Sequence, residues 1–285
     1  MNTPSISNSI LVLGGTGKTG RRIAEQLIKQ GYETRIGSRR ADIPFDWNDS
    51  GTWLPALQGI NSVYISYQPD LAVPGAVETV QAFTDLAVSS GVQKLVLLSG
   101  RGEEEAERGE EVVKASGVNW TILRASWFAQ NFSESFLLDA VLSGEIALPV
   151  AATGEPFIDV DDISDVAVAA LTQTGHAGQL YELSGPRLLT FKDIAEEIST
   201  ASGRPVRFVQ VPAKDYEDAL KQAGIDDDFR ALVMYLLTTV LDGRNAHLTD
   251  GVQRALGRAP RDFSDYARDT ALSGIWSEQH MKESA

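Results

Sequence analysis

The stretch Ile10-Leu-Val-Leu-Gly-Gly-Thr-Gly-Lys-Thr-Gly20 joins a short apolar run to four closely spaced glycines. The apolar run, residues 10–13, has no polar alternation, which is typical of a parallel strand covered on both faces. After the glycines, apolar positions recur at helical spacing between Ile23 and Ile28, and Gly31 follows as a helix stop. The order of strand, glycine loop and helix indicates the phosphate-binding turn of a dinucleotide-binding fold.

The glycine loop meets the requirements of such a turn. Its glycines permit a tight bend, close approach of the backbone to pyrophosphate, and packing of the helix on the strand. Backbone N–H groups and the helix dipole favour phosphate charge. An ATP-binding P-loop is disfavoured, because Val12 occupies the place of that motif's first glycine. The residues expected to bind phosphate are Gly14, Thr16, Gly17, Lys18, Thr19 and Gly20.

Apolar strands alternate with amphipathic helical segments up to about residue 124. This order predicts an α/β fold with a Rossmann-type, doubly wound parallel sheet. The strands predicted after the first one cover residues 33–36, 62–65, 94–98 and 120–123.

Beyond Arg124, aromatic residues and prolines interrupt this pattern. A helix capped by Asp162 follows, and further strands are predicted at residues 180–183 and 206–211. We therefore expect a Rossmann domain at residues 1–150 and a smaller, mainly helical α+β part at residues 151–285. The second part is expected to bind substrate, to pack on the first and to be partly interleaved with it.

The composition of the chain argues against several kinds of partner and several kinds of catalysis. The chain has 39 acidic and 25 basic residues, hence a net charge of −14, and no cysteine. The charge disfavours nucleic acids and anionic membranes as partners, and the lack of cysteine excludes disulfides and thiolate catalysis. The three histidines, His176, His247 and His280, do not have metal-ligand spacing, so no metal is expected.

No targeting segment or membrane span is evident, which predicts a cytoplasmic protein. The oligomeric state is left open, with a homodimer as one alternative.

The end of the second strand decides between the two nicotinamide cofactors. NAD-binding proteins usually have Asp or Glu there to hold the ribose hydroxyls, whereas this sequence has Gly37-Ser38-Arg39-Arg40. A hydroxyl and guanidinium groups bind a ribose phosphate by charge-assisted hydrogen bonds. Residues 1–40 carry seven basic and two acidic side chains, a local charge of +5, against −14 − 5 = −19 for the other 245 residues. We therefore expect NADP(H), bound through Ser38, Arg39 and Arg40.

Ten stretches along the chain carry a family resemblance. They are the glycine loop, Ser38-Arg39-Arg40, Asp46-Trp47, Ala56-Leu-Gln-Gly59, Val96-Leu-Leu-Ser99, Ser116-Gly-Val-Asn-Trp-Thr-Ile-Leu-Arg124, Asn131-Phe132, Asp159-Val-Asp-Asp-Ile163, Tyr181-Glu-Leu-Ser-Gly185 and Leu256-Gly-Arg-Ala-Pro260. With them, nearly the whole chain resembles the NmrA-like branch of the atypical short-chain dehydrogenases. Within this branch it is most similar to bacterial NAD(P)H-dependent quinone, azo-dye and triphenylmethane-dye reductases. The resemblance implies that Asp46 and Trp47 flank the adenine and that Tyr67, Gln68 and Ser99 line the cofactor channel.

The chain lacks the proton donor of ordinary short-chain dehydrogenases, a Tyr-x-x-x-Lys pair. None of its seven tyrosines is followed by lysine four residues later. Hydride transfer is then easiest to acceptors whose product charge is delocalised. We predict an NADPH-dependent oxidoreductase acting on quinone-like, azo or dye-like conjugated acceptors, with no catalytic residue assigned. The alternatives are a non-catalytic NADP(H)-sensing regulator with a protein partner, and an epimerase or dehydratase.

Aromatic residues beyond Arg124 could contact a flat acceptor, and Trp127, Phe128 and Phe157 are the predicted pocket residues. Arg124 itself is expected to tie the end of its strand to a buried carboxylate rather than to touch substrate. The glutamates between residues 103 and 111 are interpreted as a solvated helix face.

Overall fold

A computed structural model describes residues 9–277, which form two compact units. Predictions on the start of the chain and on His280 lie outside the described residues. Within the described range, the first unit contains residues 9–125, 160–183 and 250–258. Its elements are β1 (Ile10–Leu13), α1 (Lys18–Lys29), β2 (Thr34–Gly37), α2 (Trp53–Leu57), β3 (Ser62–Ile65), α3 (Ala76–Ser89), β4 (Lys94–Gly100), α4 (Glu104–Lys114), β5 (Asn119–Ala125), α6 (Val160–Thr172), β7 (Gln179–Leu183) and α10 (Gly251–Leu256).

A six-stranded sheet forms the centre of the first unit, with the strand order β2-β1-β3-β4-β5-β7. All of its strand pairings are parallel. Helices flank the sheet: α1 packs against α6, where Arg22 Nε lies 2.7 Å from Asp161 Oδ1, and α3 packs against α4. The predicted Rossmann-type α/β class is confirmed.

The strands form where the sequence is continuously apolar. The four residues of β1 are each no more than 2% exposed, as expected for a strand covered on both faces. The prediction for residues 62–65 matches β3, and those for β2, β4, β5 and β7 are within one or two residues at each end. Strand ends are the least accurate part of such predictions, because the last hydrogen-bonded pairs of a strand depend on the length of its neighbour.

The second unit contains residues 126–159, 184–249 and, within the described range, 259–277. It includes a two-stranded parallel sheet and an aromatic core that contains Phe132, Phe191 and Trp276. The first strand of this sheet, β6, was not predicted from the sequence. The elements of the unit are α5 (Leu138–Ser143), β6 (Glu145–Leu148), α7 (Phe191–Ser202), β8 (Arg207–Gln210), α8 (Ala213–Gln222), α9 (Asp227–Tyr235) and α11 (Phe263–Leu272).

The two units interleave along the chain rather than meeting at residue 150, because α6 and β7 return to the parallel sheet of the first unit. Helix α6 begins at Val160, two residues before the predicted cap Asp162. Asp162 therefore lies in the first turn, fully buried, where Oδ1 accepts a 2.6 Å hydrogen bond from Arg258. Among residues 9–277, none of the helices has the length and apolar character that crossing a membrane requires.

Candidate functional site

The strand order creates a switch point beside β1. This strand pairs with β2 on one side and with β3 on the other, so the connections that leave the carboxyl ends of β1 and β3 diverge. In open α/β sheets, ligands bind in the crevice outside the carboxyl ends of the strands at such a point. The glycine loop follows β1 at this edge, which makes the edge the candidate site.

The glycine loop is shaped by its own backbone. Gly14 has a φ of +64°, a conformation that favours glycine, and its carbonyl oxygen accepts a 2.8 Å hydrogen bond from the N–H of Gly17. A Cβ atom at Gly20 would overlap this carbonyl group, so the start of α1 can approach the loop only with glycine there. The loop is thus a tight turn with the helix packed directly on it.

The start of α1 fits a phosphate group. Gly17 is the N-terminal cap residue, and no side chain caps the helix. A Cβ atom at Gly17 would have only the Gly14 oxygen nearby, at 3.2 Å, so the space outside this residue is open. An uncapped helix start with a glycine beside it allows an anion to approach the backbone closely. The loop therefore fits a dinucleotide.

The remaining loop residues differ in exposure. Thr16 is exposed and Lys18 half-buried, whereas Thr19 is only 5% exposed. The Thr19 hydroxyl accepts a 3.0 Å hydrogen bond from the buried phenol of Tyr64 on β3. Thr19 thus supports the loop from the side of the sheet.

Two guanidinium groups lie at the end of β2. Arg39 and Arg40 are exposed and Ser38 is half-buried. Among residues 9–277, Arg39 and Arg40 form no ion pair. Other basic residues near the chain start contact the protein itself: Arg22 binds Asp161, and Arg35 donates to the carbonyl of Ala56 at 2.7 Å. The exposed guanidinium groups of Arg39 and Arg40 are therefore accessible at this edge to an incoming phosphate.

Trp47 is buried in an aromatic cluster and does not lie on the surface of a loop. It is 8% exposed, its Nε1 donates to the carbonyl of Ser66 at 3.1 Å, and its ring lies 4.9 Å from that of half-buried Tyr67. Asp46 accepts a hydrogen bond from the N–H of Asn48 and so stabilises its own turn. Gln68 is exposed beside this cluster. The cluster holds the connections after β2 and β3 together.

Ser99, near the end of β4, belongs to a buried charged network. Its hydroxyl donates to Glu110 Oε1 at 2.8 Å, and Arg124 donates to both oxygens of Glu110 at 2.7 and 2.6 Å. Arg124 also reaches Glu182 at 3.2 Å. The prediction that Arg124 ties its strand to a buried carboxylate is confirmed.

The interpretation of the glutamate run as a solvated face is wrong for two of its members. Glu110 has no exposed surface and Glu103 is only 8% exposed. Glu110 lies on the buried face of α4, together with Ala106 and Val113, and the guanidinium group of Arg124 neutralises its charge there. Its spacing of four from Ala106 and three from Val113 was a signal available in the sequence.

We expect Glu110→Ala to lower the free energy of unfolding by about 3 kcal/mol, because it leaves Arg124 without its main partner in a desolvated place. Glu111→Ala is the matched control, since Glu111 is 72% exposed and its bridge to Lys114 contributes little. Urea unfolding of the two variants measures the difference. Equal losses for both would show that the Glu110–Arg124 pair does not stabilise the fold.

Four of the seven tyrosines are weaker acids than an exposed tyrosine. Burial raises the pKa of Tyr64, Tyr181, Tyr216 and Tyr266 above the ordinary value. A general acid that works near neutral pH needs the opposite shift. Among residues 9–277, no group of three or more histidine, aspartate or glutamate side chains is arranged to hold a metal ion.

The predicted acceptor residues lie in the second unit. Phe157 is 2% exposed and packs between Phe132, Phe191 and Phe263 in the core, which favours a packing role. Trp127 and Phe128 keep exposed surface, and the Trp127 ring contacts Phe191 edge to face. Trp127 and Phe128 are therefore the pocket residues that could still meet a ligand.

The fold and the glycine loop define a Rossmann-type dinucleotide-binding protein. A family model described as NAD(P)H-binding matches residues 14–174, and the model of the NmrA-like family matches residues 107–263, more than half of the chain. The chain belongs to the NmrA-like family, and the binding of NAD(P)H follows from the two matches together.

Several of its relatives are named as dehydrogenases or reductases. Agroclavine dehydrogenase of Claviceps fusiformis is 31% identical, over 94% of this chain and 98% of the relative. NAD(P)H azoreductase of Xenophilus azovorans is 27% identical, over 93% and 98%. The crystal structure of an NADPH-dependent quinone oxidoreductase from Escherichia coli, complexed with NADPH, has a TM-score of 0.75 at 19% identity, and covers 91% of this chain and 99% of that one. The chain is thus a member of an NAD(P)H-dependent oxidoreductase family.

Proposed function

We propose that this protein is an NADPH-dependent reductase of flat, conjugated acceptors such as quinones, azo compounds and cationic dyes. The observation that carries the proposal is the pair of exposed, unpaired guanidinium groups, Arg39 and Arg40, at the same sheet edge as the glycine loop. A ribose phosphate is the part of NADPH that NADH lacks, and guanidinium groups bind phosphate strongly.

Each predicted cofactor residue has a role in this proposal. The glycine loop holds the pyrophosphate, Ser38, Arg39 and Arg40 hold the ribose phosphate, and the edge of the aromatic cluster borders the adenine. The residues assigned to the adenine and to the rest of the channel are Asp46, Trp47, Tyr67, Gln68 and Ser99. Because Trp47 and Ser99 are largely buried, their part is to shape the channel wall.

The proposed acceptor class rests on the lack of an assigned proton donor at the site. Bound NADPH supplies the hydride. Ser99 already donates its proton to Glu110, whose charge Arg124 balances, so this hydroxyl has no proton to offer a carbonyl oxygen. Four tyrosines are weaker acids than usual because of burial. Acceptors that spread the added electron pair over a conjugated system need no strong acid at the moment of hydride transfer.

The second unit is proposed to bind the acceptor. The rings of Trp127 and Phe128 are half-buried, and the part of each that remains accessible suits a flat ring system. The relatives named for azo compounds and quinones support this class of acceptor.

We expect acceptor-dependent hydride transfer to be detected with NADPH carrying deuterium at the transferred position. A cationic triarylmethane dye should gain one deuterium at its central carbon, because the hydride neutralises the cation without a proton. Simple aldehydes should react far more slowly, since their oxygen must be protonated as the hydride arrives. Mass spectrometry of the products measures both.

The same assay applied to Tyr→Phe variants at all seven tyrosines should show losses below about tenfold. A loss of about a thousandfold in one variant, on the order of 4 kcal/mol, with NADPH binding intact, would reveal a tyrosine that acts as the general acid. Simple carbonyl compounds would then be reduced as well, contrary to the proposed acceptor class.

A further inference from the structure

The start of helix α1 is hydrogen-bonded to a buried phenol of the sheet. Tyr64 lies on β3 with no exposed surface, where it pairs with Val12 on β1 and with Val96 on β4. Its hydroxyl donates a 3.0 Å hydrogen bond to Oγ1 of Thr19, the second residue of α1. Thr19 is itself only 5% exposed. The contact therefore joins β3 to the turn that fits the pyrophosphate.

This hydrogen bond constrains both of its partners. Burial raises the pKa of the Tyr64 phenol above its ordinary value of 10.0, so the phenol keeps its proton at neutral pH. Within residues 9–277, the Thr19 hydroxyl is the one hydrogen-bond partner of this phenol. A buried donor that loses its acceptor suffers the full cost of desolvation. A displacement of Thr19 away from Tyr64 is therefore unfavourable.

The first turn of α1 contains backbone donors that a ligand can use. The N–H of Arg21 bonds the Gly17 oxygen at 3.1 Å. In the part of the chain that the structure describes, no group accepts a hydrogen bond from the N–H of Thr19 or of Gly20. Such N–H groups at a helix start bind phosphate oxygens. Tyr64 therefore holds a residue that offers an N–H to the pyrophosphate.

A second contact holds the same turn from the side of α6. Arg22 Nη1 donates to the Lys18 carbonyl at 2.9 Å, and Arg22 Nε donates to Asp161 Oδ1 at 2.7 Å. The Asp161 side chain is 43% exposed, and exposed ion pairs contribute little to stability. Tyr64 and Thr19 are buried, where the loss of one partner costs more. The contact with Tyr64 is therefore the one whose loss should affect the turn most.

We propose that Tyr64 is a positioning residue for the cofactor: its hydroxyl fixes Thr19 so that the N–H groups of Thr19 and Gly20 meet the pyrophosphate of NADPH. The inference rests on the proposed function, in which the glycine loop holds that pyrophosphate. No proton leaves the phenol in this role. Loss of the hydroxyl should weaken the binding of ligands that carry a pyrophosphate and spare those that do not.

Tyr64→Phe tests the proposal, because it removes the hydroxyl and keeps the ring. The dissociation constant of NADPH, measured by fluorescence titration, should rise about fivefold, which is the effect of losing one neutral hydrogen bond. Adenosine 2′-monophosphate has the adenine and the ribose phosphate of NADPH but no pyrophosphate. Its dissociation constant, measured by calorimetry, should change less than about twofold. A similar loss for both ligands would overturn the proposal.

Tyr266→Phe is the matched control. Tyr266 is 3% exposed in the second unit, and its hydroxyl donates a 2.8 Å hydrogen bond to Ser133, so this variant also loses one buried phenol contact. It should lower the melting temperature as Tyr64→Phe does, and it should bind both ligands as the wild type does. Equal losses of NADPH affinity in the two variants, or wild-type affinity in Tyr64→Phe, would contradict the role of Tyr64.

The acceptor side of the contact gives a second test. Thr19→Val removes the acceptor and should weaken NADPH binding as Tyr64→Phe does, whereas Thr19→Ser keeps a hydroxyl and should restore most of the affinity. Because both single changes break the same contact, the double variant should lose about as much affinity as either single variant. Additive losses would overturn the proposal. If Tyr64→Phe does not fold, equal NADPH affinities of Thr19→Val and Thr19→Ser would do so.

Hydrogen exchange gives a readout without the cofactor. The N–H of Arg21 should exchange faster in Tyr64→Phe than in the wild type and in Tyr266→Phe, because its hydrogen bond to Gly17 belongs to the turn that Tyr64 holds. Failure of the wild type to bind NADPH would refute the proposed function. Exchange would then still decide whether Tyr64 holds the helix start, since equal rates in the three proteins would exclude it.

Discussion

Gly17→Val should leave the protein folded and weaken NADPH binding at least about a hundredfold, which corresponds to roughly 3 kcal/mol. The backbone at Gly17 has a φ of −82°, which valine adopts readily, and a Cβ there has one neighbour within 4 Å, the Gly14 carbonyl oxygen at 3.2 Å, a tight contact that costs some stability without preventing folding. The new side chain would instead occupy the space outside the helix start, where the pyrophosphate must approach the backbone. Titration of NADPH, with circular dichroism and thermal unfolding of the same sample, measures both effects.

Gly20→Val is the matched comparison, since it places the same side chain three residues further along. There a Cβ would overlap the Gly14 carbonyl group, so this variant should lose stability as well as binding. If Gly17→Val instead binds NADPH as the wild type does, the pyrophosphate does not lie at the glycine loop and the site is misplaced.

Arg39→Asp should reverse the cofactor preference from NADPH to NADH. The change removes a charge-assisted hydrogen bond, worth about 1.5–3 kcal/mol, and adds a carboxylate that repels the phosphate and can bind ribose hydroxyls. Because Arg39 is exposed and makes no ion pair among residues 9–277, stability should be unaffected. The ratio of the two dissociation constants measures the effect.

Lys29→Asp is the control for net charge, because Lys29 is exposed at the opposite end of α1 from the glycine loop. It should leave the ratio unchanged. An unchanged ratio in Arg39→Asp would exclude Arg39 as the phosphate ligand, and the same change at Arg40 would then show whether the contact belongs to its neighbour.

Local signals in the sequence were sufficient for the cofactor half of the fold. Strand β1, the glycine loop and α1 are consecutive, and their pattern depends on residues close in the chain. Strand β6 was missed because it pairs only with β8, some 60 residues later, and begins with the polar residue Glu145. Its conformation depends on a partner that no local pattern indicates.

The charged groups of the site were harder to predict. Arg124 was correctly expected to bind a buried carboxylate, but the partner, Glu110, was taken for a surface residue. The helical spacing of Glu110 from Ala106 and Val113 could have identified it.

We propose that the protein reduces a conjugated acceptor with NADPH, and the rate of NADPH oxidation with and without an acceptor tests this claim. A quinone, a cationic dye and an enone should each be tried in a preparation whose NADPH binding is measured in parallel. We predict oxidation that depends on the acceptor, is faster with NADPH than with NADH, and consumes one NADPH for each acceptor reduced by two electrons. Tight binding of NADPH without oxidation by any of these acceptors would contradict the claim and favour an NADP(H)-sensing regulator.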